Sequence, residues 1–282
     1  MNLCSPKVNS KYKSCLTHNM LQQLAKLINK HTNQTININL PRKQLHNSIN
    51  NYIVSVSSCK SETCWNDVIQ LITNIPNKLA KEIQSNFKPK KPLSWKTNKN
   101  TWLNTNDINN VLNQYMESHN NFYYYGAVPD DFDLKSSNGS CKISELCKFN
   151  LKNMLNNKYE CFAVVFNTDP STKSGEHWTC MFTDIKGNNK KEPTIYYFDS
   201  VGDKPSENIE ELIDTIEEQG NMENISFNHE YNDIQHQEGT TECGMYTIHF
   251  IIYMLQGNSF KKYIKNKKSD EFIEKFRNIY FI

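Results

Sequence analysis

Apolar residues recur at helical spacing through the first 90 positions. Thr17 precedes Leu21, Leu24, Leu27 and Ile28, which share one face, so the pattern predicts a helix capped by Thr17. A second helix is expected near 43–53. A third starts at Cys64-Trp65 and carries Val68, Ile69, Leu71 and Ile72, and a fourth covers about 77–86. Lys88-Pro89-Lys90-Lys91-Pro92 then breaks the period and reads as a linker. We place a domain boundary there, with a helical region over 1–91 and a second domain over 92–282.

Beyond the linker the period changes. Trp102-Leu103-Asn104-Thr105 leads into a helix with Ile108, Val111, Leu112, Tyr115 and Met116 on its inner side. Phe122 to Val128 is aromatic and strand-like, with Tyr123-Tyr124-Tyr125 read as core packing, and 143–156 is helical. Three strands follow in series: Cys161–Phe166, His177–Ile185 and Thr194–Asp199. The first is continuously apolar, as a strand covered on both faces should be. Pro205 opens a helix that ends at Gln219 with Gly220 as its stop, and a short strand covers 225–231. Cys243 begins an apolar helix, Met245 to Leu255, closed by Gly257. A last helix, capped by Ser269, carries Phe272, Ile273, Phe276 and Ile279. Helices, then a small sheet, then helices make an α+β protein.

The net charge of +2 gives no general argument for nucleic-acid binding, which stays open. The 88–92 run and the Lys261–Lys268 cluster read as solvated surface. No run is long enough to span a bilayer, and no apolar signal segment follows Met1. Nine cysteines at irregular spacing then imply a reducing, cytoplasmic setting with free thiols, not a disulfide framework. Cys59 with Cys64, or Cys141 with Cys147, are spaced too widely for a zinc knuckle, and no metal or organic cofactor is expected.

The chemistry concentrates in four residues, in the chain order His177, Asp199, Gln237, Cys243. Cys243 stands at the start of a helix, where the dipole and a neighbouring imidazolium favour the thiolate. Gly244 lets the backbone turn and a substrate carbonyl approach. His177 opens a strand, and Trp178 beside it can cover a groove and exclude water. Asp199 ends an apolar strand, where a carboxylate needs a partner; an imidazole N–H is one, and capping the turn Ser200–Asp203 is the other reading. Gln237 lies six residues before Cys243 and can donate to an oxyanion, with Gln235 and His236 as competitors for that place.

His177-Trp178, Asp199, Gln237 and Cys243-Gly244 together resemble the cysteine protease clan of adenovirus proteinase and the SUMO proteases. Trp102-Leu103 before a helix is similar to the SUMO-protease entry motif. Within the clan the likeness is greatest to the polyprotein-processing proteases of large cytoplasmic DNA viruses, the African swine fever virus protease type. It rests on Asn167-Thr168-Asp169, on Gly175 to Trp178, on Gln237 with Thr241-Glu242-Cys243-Gly244, and on Ser14-Cys15-Leu16. Two positions depart: Glu242 where SUMO proteases carry Asp, and Asp199 where the swine fever type carries Asn.

The resemblance implies a papain-like core in circularly permuted form, with a small central sheet flanked by helices. It implies cleavage after Gly, at Gly-Gly-Xaa or Gly-Xaa-Gly sites, with Trp102, Trp178 and Gly244 binding substrate. The expected partner is a virion core polyprotein or a ubiquitin-like protein, met in the cytoplasm or the particle. The N-terminal region is expected to dock substrate or regulate. An isopeptidase acting on ubiquitin-like conjugates is one alternative. An acetyltransferase is another, although such relatives carry Glu where this chain has Asp199.

Overall fold

The computed structural model describes residues 3–8 and 14–282; positions 1–2 and 9–13 of the expected N-terminal region lie outside them. The chain divides into two compact units, Met1–Lys90 with Ile282, and Lys91–Phe281.

The first unit is helical. Helix α1 (His18–His31) is capped by the Thr17 side chain, which accepts from the Met20 N–H, and buries Leu21, Leu24, Ala25 and Ile28. Helix α2 (Arg42–Val56) buries Leu45, Ile49 and Ile53, each four residues from the last. Helices α3 (Trp65–Ile72) and α4 (Asn77–Ser85) add Trp65, Ile69, Leu79 and Ile83 to the same core. Leu71, one of the apolar residues that α3 carries, is exposed.

The expectation of free thiols is corrected. Six of the nine cysteines are paired: Cys4 with Cys15, Cys59 with Cys64, and Cys141 with Cys147. The pairs are local, 11, 5 and 6 residues apart, with Cα atoms 5.1, 5.8 and 6.2 Å apart. Neither the odd total nor the irregular spacing foretells them. Cys161, Cys180 and Cys243 stay free and buried.

The second unit is built on a five-stranded sheet in the order β1-β2-β3-β4-β5. Helix α5 (Thr105–Ser118) opens it, held by a capping box between Asn104 and Asp107. Strand β1 (Phe122–Pro129) follows, with a bulge between Tyr124 and Ala127 at Gly126. The helix expected over 143–156 is two: α6 (Ser144–Cys147) and α7 (Leu151–Asn156). Asn150 caps α7, and Gln219 bonds Phe149 O and Leu151 N across the break.

Strands β2 (Cys161–Asn167), β3 (Trp178–Asp184) and β4 (Thr194–Phe198) form the buried middle of the sheet. β3 is antiparallel to both neighbours, while β1 and β5 (Asn228–Tyr231) pair in parallel at the edges. Alternate residues of β2 enter different cores: Ala163 and Val165 face one cluster, and Phe162, Val164 and Phe166 the other. That two-sided burial is why the strand reads as an unbroken apolar run.

Helix α8 (Glu207–Met222) is capped by Ser206 and covers one face. It continues past Gly220, the expected stop. A Cβ there would come within 2.7 Å of Ile225 O and the Phe227 ring, so the glycine serves close packing. Helix α9 (Cys243–Leu255) lies on the opposite face and is buried almost throughout. Helix α10 (Phe260–Lys265), unforeseen, occupies much of the lysine cluster. The final expected helix is broken into α11 (Asp270–Glu274), capped by Ser269, and α12 (Arg277–Tyr280). The architecture is the expected α+β, a small sheet between helical layers. No helix among the described residues is long and apolar enough to cross a membrane.

Candidate active site

The sheet ends and the start of α9 meet at one place. His177 immediately precedes β3, and its carbonyl accepts from the Thr168 N–H. Asp199 immediately follows β4, in a strand antiparallel to β3, so the two side chains emerge beside each other. His177 Nε2 lies 2.7 Å from Asp199 Oδ1. The same oxygen accepts the Val201 N–H at 2.8 Å, so the turn-capping reading of Asp199 holds alongside the imidazole pairing. Asp199 is 2 % exposed.

Cys243 also lies close enough to act electrostatically on the His177 ring. With Nε2 committed to Asp199, Nδ1 is the nitrogen left for sulfur. Burial lowers the pKa of His177, but hydrogen bonds and charge from Asp199 and Cys243 outweigh it and raise the value to about 10. The imidazolium is therefore the form that this setting favours. Cys243 is the first residue of α9, so its own N–H has no intrahelical acceptor. The other two free thiols are disfavoured as nucleophiles: burial pushes Cys161 up to about 12 and Cys180 well above its ordinary range.

Gln237 is 2 % exposed and fixed at both ends of its amide. Ser200 Oγ donates to Oε1 at 2.8 Å, and Nε2 donates to Gly239 O at 2.8 Å, which leaves one amide hydrogen uncommitted. The Gln237 and His236 N–H groups both donate to Ser200 O at 2.8 Å. Residue 200 thus ties the Gln237 loop to the end of β4, one position from Asp199. The competitors for Gln237's place have other duties. Gln235 donates to Gln237 O, and His236 is fully buried, with Nδ1 accepting from the Lys268 N–H.

Trp178 and Gly244 are brought together by Leu103. The Trp178 indole donates to Leu103 O at 2.9 Å. A Cβ on Gly244 would stand 3.1 Å from Leu103 Cβ and 3.4 Å from Trp178 Cδ1. A cavity of about 410 Å³ opens alongside, walled by Trp102, Leu103, Gly175, Glu176 and Trp178. It reaches the residues on both sides of His177 but not Cys243, which is 1 % exposed. Trp102 is 45 % exposed at this cavity.

Sequence reasoning missed the supports. Asn232 is the first: its Oδ1 accepts the Asp199 N–H at 2.9 Å and its Nδ2 donates to Asp199 O at 2.7 Å. Asp270 accepts from the Glu238 and Gly239 N–H groups at 3.1 and 2.7 Å, which pins the Gln237 loop. Ser200 and Arg277 complete the set. Only Arg277 had a signal to find: it is one of two arginines in a chain whose other basic residues are lysines. Among the described residues no cluster could hold a metal ion.

A model of the Ulp1 protease family, C-terminal catalytic domain, matches residues 130–281. A protein of Acanthamoeba polyphaga mimivirus named as a thiol protease is 29 % identical over 304 residues, covering 100 % of this chain and 93 % of its own. A cysteine protease of African swine fever virus is 26 % identical over 215 residues, covering 72 % of this chain and 74 % of its own. The crystal structure of the swine fever protease pS273R shares the fold, with a TM-score of 0.68 at 20 % identity over 100 % of this chain and 96 % of that one.

Proposed function

Because the chain belongs to the Ulp1 protease family and is a cysteine-type peptidase, we propose that it is an endopeptidase cutting after Gly in virion core polyproteins. Cys243 attacks the scissile carbonyl while His177 holds the thiol proton, and Asp199 orients and stabilises the imidazolium. The uncommitted Gln237 amide hydrogen and the Cys243 N–H receive the oxyanion. His177 passes its proton to the leaving amine, and water then cleaves the acyl-enzyme. The carrying observation is the His177–Asp199 bond of 2.7 Å, with Cys243 close enough to act on the same ring.

The preference for Gly follows from space. Leu103 and Trp178 stand against Gly244 so closely that one added Cβ meets them, and Cys243 is nearly closed to solvent. A peptide reaching that sulfur passes where side chains do not fit. Trp102 and Trp178 line the neighbouring cavity, and we assign them with Gly244 to substrate binding. We propose the cytoplasm of an infected cell and the particle as the site of action, since the similar proteins reported above are viral.

A Gly-rich peptide library treated with wild type and with Cys243→Ala, read by mass spectrometry, tests the reading. Cuts after Gly that vanish in the variant are expected. If only a folded ubiquitin-like conjugate is cut, the isopeptidase assignment replaces polyprotein maturation. Cuts that persist in the variant overturn the nucleophile.

A further inference from the structure

One guanidinium fastens together the segments that carry Leu103 and Gly244. Arg277 in α12 is 4 % exposed, and so is Glu242. Arg277 Nε and Nη2 donate to the two Glu242 carboxylate oxygens at 3.1 and 2.8 Å. Nη2 also reaches Thr241 O at 3.3 Å, and Nη1 donates to Thr101 O at 3.1 Å. The guanidinium lies 4.6 Å from the centre of the Trp95 ring. Thr101 runs directly into Trp102-Leu103, and Glu242 directly into Cys243-Gly244. Leu103 and Gly244 are the residues that nearly touch.

A buried ion pair is seldom better for stability than apolar packing of equal volume, so its presence here needs another reason. Geometry supplies one. A planar fork fixes five contacts in set directions, which a lysine ammonium cannot do. Charge supplies the other. The Glu242 carboxylate belongs to the residue before the nucleophile and makes no capping bond to α9. Left unmatched, it would repel both a thiolate and a developing oxyanion.

We propose that the Arg277–Glu242 pair is a positioning device for the nucleophile. It sets the Leu103–Gly244 gap and neutralises the carboxylate beside Cys243. The inference rests on the reading of Cys243 as nucleophile. The charged groups acting on that sulfur are then His177 with Asp199 from the sheet side, and Glu242 with Arg277 from the helix side.

The test compares full-length R277K, R277M, R277M/E242Q and C243A with wild type. Peptide turnover and the pH dependence of iodoacetamide inactivation are measured, with folding checked by circular dichroism melts. R277K keeps the charge and loses the fork: KM rises about tenfold while the inactivation midpoint stays put. R277M uncovers the carboxylate: the midpoint rises by about one pH unit and kcat falls. In R277M/E242Q the midpoint returns to the wild-type value while KM stays high.

Should R277M not fold, the neutral double variant and R277K carry the test. R277K with wild-type kcat and KM overturns the positioning role. A midpoint that is the same in R277M as in wild type overturns the electrostatic one, and so does a raised midpoint in the folded double variant. Activity surviving in C243A refutes the nucleophile itself and is thereby distinguished from failure of the Arg277 inference.

Discussion

Ser200 has no chemistry of its own in the proposed acyl transfer, yet its hydroxyl fixes the orientation of the Gln237 amide. Its donor bond to Oε1 leaves the nitrogen to donate to Gly239 O. Without it the buried carbonyl of Gln237 loses its partner, and the Nε2 bond to Gly239 O alone holds the amide in place. Ser200→Ala is expected to lower kcat about tenfold with KM nearly unchanged. Gln237→Ala, which removes the donor itself, should cost about 10²–10³ in kcat. Steady-state kinetics on one Gly-containing peptide checks both, and wild-type kcat in Ser200→Ala would remove Ser200 from the machinery. His177, Asp199 and Cys243 were picked out because each stands at an element's end, and Gln237 because of its spacing to Cys243; both are sequence properties. Ser200, Asn232 and Asp270 were not: each acts through a contact 31 to 37 residues away in the chain.

Helix α9 carries Cys243 at its first turn and has almost no solvent-facing side. Its burial was readable, since an apolar run of that length after a polar loop leaves few other outcomes. The reason for Gly244 was only half readable. Chain flexibility is the sequence-level argument, but the structure adds the approach of Leu103 and Trp178. Gly244→Ala is a sharp test, because alanine favours a helix by about 1 kcal/mol over glycine. The added Cβ requires Leu103 to give way by only a few tenths of an ångström. We expect a melting temperature within about 3 °C of wild type and a kcat/KM at least about tenfold lower. A variant that melts as wild type and cleaves as wild type would show that the passage is not set by this contact. The two broken helices, α6/α7 and α11/α12, were read as continuous because apolar period alone does not register a break. Phe149, whose carbonyl is taken by Gln219, lies in the first of these breaks.

Two units share the chain, and each has its own buried core. All the site residues belong to the second, and the family match begins at residue 130. We propose that the first unit docks substrate or regulates access. A chain beginning at Lys91 should then cleave short Gly-containing peptides as the full chain does. It should process a folded polyprotein about tenfold or more slowly, because a docked substrate gains effective concentration. Equal rates on the folded substrate would leave the first unit without that role. The α+β class, the strand series and the order of the quartet follow from the sequence, because hydrophobic period, capping residues and turn residues are local properties of the chain. The three cysteine pairs, the fixed Gln237 amide and the Arg277–Glu242 fork were decided by tertiary structure. They depend on which side chains turns and packing bring within a few ångströms, and a buried polar group finds its partner by that distance, not by its place along the chain.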